Sequence, residues 1–245
     1  MLEFAGVGRT FPDGTEALRA VDLTVDRGEF VSVVGPSGCG KSTLLRLASG
    51  LDTATTGETR VGSRRVGYVF QDPTLLPWRT VRRNVELLAE LEHLPKSERE
   101  LRVREAISLV GLTGFEKHRP RSLSGGMRMR TSLARSLVLQ PDVFLFDEPF
   151  GALDEMTRER LNDELLALFA DRGFAALFIT HSVAEAVFLS TRVVVMSPRP
   201  GRILGDVSVP FGYPRDPELR YSEEFGKVAG EVSDLLRDVP RRPVQ

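Results

Sequence analysis

Apolar positions along this chain fall into two rhythms. Short runs that are continuous or alternate every second residue predict strands: Val21-Asp22-Leu23-Thr24-Val25, Glu29 to Val34, Val66-Gly67-Tyr68-Val69-Phe70, Val143-Phe144-Leu145-Phe146, Ala175 to Thr180, and Arg192-Val193-Val194-Val195-Met196. Glu58-Thr59-Arg60-Val61 and Gly201-Arg202-Ile203-Leu204 are shorter examples, and residues 1 to about 34 read as strands broken by turns, with Arg27-Gly28-Glu29 as one of them.

Elsewhere the spacing lengthens to that of helices. Leu44-Leu45-Arg46-Leu47-Ala48 opens one, Thr80 caps another through about Leu91, and Ser97-Glu98-Arg99-Glu100 is a capping box for a third ending at Gly111. Ser124 caps a run to Leu139 that Gln140-Pro141-Asp142 stops, and a polar helix runs from Thr157 to about Ala170. Ser182 with Glu185 forms a second capping box, and Ser222 caps Glu223 to about Val239, where Phe225, Val228, Val232, Leu235 and Leu236 form one stripe. No strand signal falls between about 72 and 140. The expectation is therefore a single α/β domain with its core at about 1–71 and 141–220, an antiparallel β part at its start, an inserted helical subdomain at about 72–140 and a C-terminal helix at about 221–240.

Composition narrows the function. At 245 residues and 41% hydrophobic, the chain can bury one substantial core. Its 33 basic residues oppose 34 acidic ones, and Arg64-Arg65, Arg82-Arg83 and Arg241-Arg242 are short solvated clusters, so no nucleic-acid partner is expected. No apolar stretch approaches the roughly 18 residues of a membrane span, and Met1-Leu2-Glu3-Phe4 does not open like a signal peptide. A cytoplasmic protein is expected, in keeping with a single cysteine, Cys39.

The densest chemistry lies at Gly35-Pro36-Ser37-Gly38-Cys39-Gly40-Lys41-Ser42-Thr43, between a predicted buried strand and a predicted helix. Glycines there let successive backbone N–H groups turn inward around a phosphate, and the helix start adds partial positive charge. Lys41 can reach the β- and γ-phosphates and Ser42 can ligate Mg²⁺, so the chain is expected to bind a nucleoside triphosphate. Cys39 is a small space-filling group, or a thiol activated by the helix start and Lys41.

Other strand ends add polar groups. Gln71 ends one strand and is either a ligand-facing amide or a surface turn residue. Asp147-Glu148 ends an apolar strand, where Asp147 fits a direct or supporting contact to Mg²⁺ and Glu148 fits the base that activates water. His181 follows a third strand and fits a γ-phosphate contact. Ser124-Gly125-Gly126 is a second helix start with exposed N–H groups. Phe11, before Pro12-Asp13-Gly14, serves either packing or stacking on a base. Trp78, in the apolar loop Leu75-Leu76-Pro77-Trp78, is a core residue or part of a docking surface.

In order and spacing these segments resemble the ATP-binding subunit of ABC transporters over nearly the whole chain. Gly35 to Thr43 matches Walker A, Gln71 the Q-loop, Leu123 to Met127 the signature, Val143 to Glu148 Walker B, Gly151 to Asp154 the D-loop and His181 the switch histidine. Met127 stands where the signature commonly has Gln, and Phe11 where the family often has Tyr. Leu75 to Val81, Met127, Met196 to Ile203 and Arg220 to Phe225 look like the group that serves nitrate, sulfonate and taurine import.

The resemblance implies a P-loop NTPase (RecA-like) core and a head-to-tail dimer, with ATP between one subunit's P-loop and the other's Ser124-Gly125-Gly126. It implies Mg²⁺ held by Ser42 and Gln71 with Asp147 in support, and hydrolysis through Glu148, His181, Lys41 and Gln71. Implied partners are a second copy of the ATPase, an integral membrane permease and an extracytoplasmic solute-binding protein, with the chain peripheral on the cytoplasmic face. Export, envelope remodelling and a soluble ABC ATPase remain the alternatives, and the chain shows no extra C-terminal regulatory domain of the sugar-importer kind.

Overall fold

A computed structural model describes residues 1–151 and 153–237. Two sheets form. One is antiparallel, in the order β2 (Glu16–Val25), β1 (Leu2–Thr10), β4 (Thr56–Val61). The other has six strands in the order β5 (Val66–Val69), β6 (Val143–Asp147), β7 (Ala175–Ile179), β3 (Phe30–Val34), β8 (Arg192–Met196), β9 (Ile203–Ser208). All its pairings are parallel except that of the edge strand β9.

The apolar runs explain why this sheet lies inside. Alternate residues of each strand point to opposite faces, and here both faces are buried. Phe30, Phe144, Phe146, Phe178, Val193 and Val195 enter one core. Their neighbours Val31, Val33, Leu145, Leu177, Val194 and Met196 enter another, which also takes Leu44, Leu45 and Leu47 from α1 (Lys41–Ala48) and Leu2, Phe4 and Leu18 from the antiparallel sheet. On the first face the rings of Phe30, Phe146 and Phe178 meet at 5.6–6.3 Å between centroids.

The helices between β5 and β6 are α2 (Val81–Leu91), α3 (Lys96–Leu109) and α4 (Gly125–Leu137). Thr80 caps α2 by accepting from the Arg83 N–H, and Val81, Val85 and Ala89 form its buried stripe. Asn84 is fully buried; its side chain accepts from the Leu76 N–H at 2.8 Å and donates to the carbonyls of Leu76, Arg79 and Thr80. This ties down the apolar loop while leaving Trp78 at 68% exposure, so Trp78 is not a core residue.

Three helix starts differ from expectation. α3 begins at Lys96 behind Pro95, whose φ of −52° sets the entry, so Ser97 lies inside the first turn and caps nothing. α5 (Glu155–Arg172) begins ahead of Thr157 because Asp154 accepts from the Thr157 N–H at 3.0 Å. At α6 (Val183–Leu189), Ser182 accepts from the Glu185 N–H, but the Glu185 side chain turns to the Thr180 hydroxyl, leaving only half a capping box. α7 (Glu223–Arg237) packs Phe225 and Val232 into the core; Val239 and Arg241-Arg242 lie outside the described residues. Arg65 pairs with Asp142 at 2.9 Å and Arg83 with Glu86 at 3.0 Å, so both clusters are charge-paired surface.

Glu185 is 7% exposed, accepts from Thr180, and leaves Oε1 without a partner. Burial pushes its carboxyl pKa upward. A carboxyl raised on folding is most favourable when protonated, so its contribution is full below the ordinary value of 4.5 and is lost as pH rises through the folded value. Glu185→Gln is therefore expected to raise the melting temperature at pH 7, with the gain over wild type shrinking as pH falls toward 4.5. A calorimetric pH series checks this; a gain that persists unchanged into acid would show that ionisation is not the cause.

Candidate functional site: a phosphate loop and its neighbouring strand ends

Because β5, β6, β7 and β3 are parallel, the residues following them emerge on one edge of the sheet. After β3, the loop from Gly35 turns into α1. Gly40 sits at φ +104°, and a Cβ there would lie 2.7 Å from Leu18 Cδ2 and 2.8 Å from the Ala17 carbonyl. Only glycine fits. No side chain caps α1, so the N–H groups of its first turn remain available to an anion.

Lys41 is 7% exposed and donates from Nζ to the carbonyls of Gly35 at 2.8 Å and Pro36 at 3.0 Å. Cys39 is buried, and burial pushes its thiol pKa up despite Lys41 nearby, which favours space filling over an activated thiol. The Ser42 hydroxyl donates to Asp147 Oδ1 at 2.9 Å, joining the phosphate loop to the end of β6. Tyr68 donates to Asp147 Oδ2 at 3.4 Å. Burial raises the Asp147 pKa, opposed by the Ser42 bond and reinforced by the adjacent Glu148 charge.

Glu148 adopts φ +47°, a left-handed conformation that strains a non-glycine residue, while its N–H donates to the Ile179 carbonyl at 3.0 Å. Its Oε2 lies 3.4 Å from His181 Nδ1, and His181 is mostly exposed. A cavity of about 330 Å³ gathers Phe11, Gly38, Lys41, Ser42, Gln71 and Glu148, with Ser37, Gly40 and Thr43 also in its wall. Gln71 thus shares the pocket, and so does Phe11, one face of whose ring is covered by the Arg9 guanidinium at 5.0 Å.

Ser124, Gly125 and Gly126 are not in that wall. Ser124 caps α4 by accepting from the Met127 N–H at 3.2 Å. The two glycines are unlike: a Cβ on Gly126 would meet Leu153 Cδ2 at 2.8 Å, whereas one on Gly125 would find nothing nearer than Arg128 Nη2 at 3.9 Å. Of Gly151 to Asp154, Ala152 lies outside the described residues.

Sequence reasoning missed three contributors. Tyr68 holds Asp147 from 79 positions away in the sequence, a contact that no local pattern marks. Arg135, buried on α4, donates to the carbonyls of Pro73 and Thr74 just beyond Gln71. Arg199 lies in the pocket wall and donates from Nε to the Gly38 carbonyl at 3.2 Å.

A phosphate loop at the edge of a parallel sheet, joined to a buried Asp-Glu strand end, defines a P-loop NTPase. Residues 18–151 match the ABC transporter family, and the chain belongs to it as one of its ATP-binding, ATP-hydrolysing cassettes. The nitrate import ATP-binding protein NrtD of Synechocystis sp. is 42% identical over 254 aligned positions, covering 96% of this chain and 95% of that protein. The aliphatic sulfonates import ATP-binding protein SsuB of Bacillus cereus is 39% identical over 237, covering 93% and 92%. Among solved structures, a dimeric ATP-binding cassette in a post-hydrolysis state with ADP and phosphate superposes with a TM-score of 0.79 at 31% identity, over 86% of this chain and 100% of that one. The family and fold expected from the sequence are those found.

Gly40→Ala is expected to weaken ATP binding by at least about tenfold, because the added methyl must displace Leu18 or the Ala17 carbonyl and the backbone is strained besides. Titration with a fluorescent ATP analogue checks it; unchanged affinity would mean that the loop conformation is not what binds phosphate.

Proposed function

We propose that this chain is the energising subunit of an importer for a small solute of the nitrate, sulfonate or taurine kind. Likeness to nitrate- and sulfonate-import subunits over 93–96% of the chain carries this reading. No helix among the described residues is long and apolar enough to cross a membrane. Passage of the solute therefore falls to an integral membrane permease, with an extracytoplasmic solute-binding protein delivering it and this chain docked on the cytoplasmic face.

The working unit is a head-to-tail dimer of two copies. Gly125 supports this, since nothing among the described residues requires a glycine there, while a helix start without a side chain lets another molecule's phosphate approach closely. Ser124, Gly125 and Gly126 of one copy then complete the pocket of the other. Lys41 and the amides of the loop from Gly35 to Thr43 offset phosphate charge, and Phe11 stacks on the base with the ring face that Arg9 leaves open. The Ser42 hydroxyl, Asp147 carboxylate and Gln71 amide are all oxygen-bearing donors, the set that suits Mg²⁺ beside a nucleotide. When bound, that ion adds charge neutralisation and orients the phosphate oxygens.

Glu148 accepts a proton from the attacking water, and His181, 3.4 Å from it, contacts the γ-phosphate and holds the Glu148 carboxylate in line. Motion follows from the ties around Gln71. Arg135 grips the carbonyls of Pro73 and Thr74, and Asn84 grips the loop from Leu76 to Thr80. The helical subdomain therefore turns with Gln71 and carries exposed Trp78 with it, the side chain best placed to push on the permease.

Glu148→Gln is expected to lower ATP turnover by about 10²-fold or more while leaving ATP binding intact, because only the base is lost. Gly125→Ala is expected to leave the melting temperature no lower than wild type, or slightly higher, yet cut ATPase activity by about tenfold or more, since among the described residues the added methyl finds nothing nearer than Arg128 Nη2 at 3.9 Å. Steady-state phosphate release with a parallel thermal melt checks both, and normal turnover in either variant would overturn its assigned role. The transport reading is tested by purifying the tagged chain from detergent-solubilised membranes of its host, together with growth of a deletion strain on nitrate or a sulfonate as sole nitrogen or sulfur source. Co-purification of a multi-span permease and a growth defect are expected. Soluble partners alone would favour a non-transport ATPase, and a permease with intact growth would favour export.

A further inference from the structure

The segment after β8, Ser197-Pro198-Arg199-Pro200-Gly201, lies directly on the phosphate loop. A Cβ on Gly201 would fall 2.1 Å from the Cys39 carbonyl oxygen, so the two backbones touch. Gly201 also bonds β2, donating to the Ala17 carbonyl at 2.9 Å and accepting from the Arg19 N–H at 3.0 Å. Within the segment, the Ser197 hydroxyl donates to the Pro200 carbonyl at 3.1 Å and accepts from the Arg202 N–H at 3.0 Å. Arg199 is thus carried on a braced loop to the wall of the 330 Å³ pocket.

The pocket's two cations share a feature. Among the described residues neither is engaged in an ion pair; each is held by phosphate-loop carbonyls, Lys41 by Gly35 and Pro36 and Arg199 by Gly38. Asp13, whose carboxyl is held below its usual range chiefly by bonds from Thr15, receives from Arg199 only a minor influence as a nearby charge. A guanidinium has five N–H donors, and with Nε on Gly38 the Nη hydrogens remain for a ligand.

We propose that Arg199 binds the phosphate chain of the nucleotide as a second cation beside Lys41. This deepens the assignment of the pocket to ATP and rests on it. ATP and ADP both carry the charge that Arg199 would meet, and adenosine carries none.

The test is binding of ATP, ADP and adenosine, measured by competition against a fluorescent ATP analogue, to the full chain and its R199Q, R199K and K41A variants between about 0.05 M and 0.5 M salt. R199Q is expected to weaken ATP and ADP by about tenfold, leave adenosine unchanged and flatten the salt dependence. R199K keeps the charge but has no Nε to hold Gly38, so recovery of most of the affinity by R199K is expected. Unchanged ATP affinity in R199Q, a matching loss for adenosine, or an R199K as weak as R199Q would overturn the proposal, the last by assigning the effect to loop shape. Wild-type protein without ATP binding would overturn the pocket assignment as well, whereas binding that K41A abolishes and R199Q spares would overturn the Arg199 role alone.

Discussion

A parallel sheet buried on both faces leaves only its strand ends for chemistry. That constraint organises the molecule. Alternate side chains of β3, β6, β7 and β8 are consumed by two cores, so a polar group inside these strands needs a partner there, as buried Ser32 has in the Ser190 hydroxyl. The carboxyl edge is where the chain leaves the sheet, and there the phosphate loop, Gln71, Asp147-Glu148 and His181 come together although 146 positions separate Gly35 from His181 in sequence. The Ser42–Asp147 bond closes this edge by joining a loop to a strand end.

The site holds groups in states that are unfavourable or unpaired in the free protein. Asp147 is buried with its pKa raised, which means that its charge is unfavourable without a cation nearby. Lys41 and Arg199 rest on backbone carbonyls rather than carboxylates. Glu148 carries backbone strain at φ +47°. Burial of the Asp147 charge and the Glu148 backbone strain work against stability of the free protein, as expected where function and stability compete.

What could be read in the sequence and what could not divide along a physical line. Strands such as Val143 to Asp147 and motifs such as Gly35 to Thr43 were legible because local pattern alone fixes them: a buried strand must be apolar, and a loop around phosphate must lack side chains. Helix starts were less legible. Ser97-Glu98-Arg99-Glu100 has the form of a capping box, yet Pro95 begins the helix earlier, and Glu185 leaves its box for Thr180 because tertiary neighbours compete for the same side chain. Trp78 ended outside because Asn84 fixes its loop from the next helix. Tyr68, Arg135 and Arg199 escaped notice for a related reason: each acts on a segment 61 to 161 positions away or, for Tyr68, 79, and no local pattern records such a contact.

The contrast between Gly125 and Gly126 carries the synthesis one step further. Gly126 has an internal reason, since Leu153 fills the space that a side chain would need. Gly125 has none among the described residues, and a glycine in a helix costs up to about 1 kcal/mol relative to alanine. A cost with no internal return points outward, to a surface that another molecule must approach closely. The pocket is complementary, because it gathers Lys41, Ser42 and the loop glycines and includes none of the residues at the start of α4. The uncapped start of α1 and the glycine-bearing start of α4 thus do not line the same cavity. In the proposed dimer, two copies related by a dyad would bring each start to the other's pocket, and ATP would then be the contact between subunits.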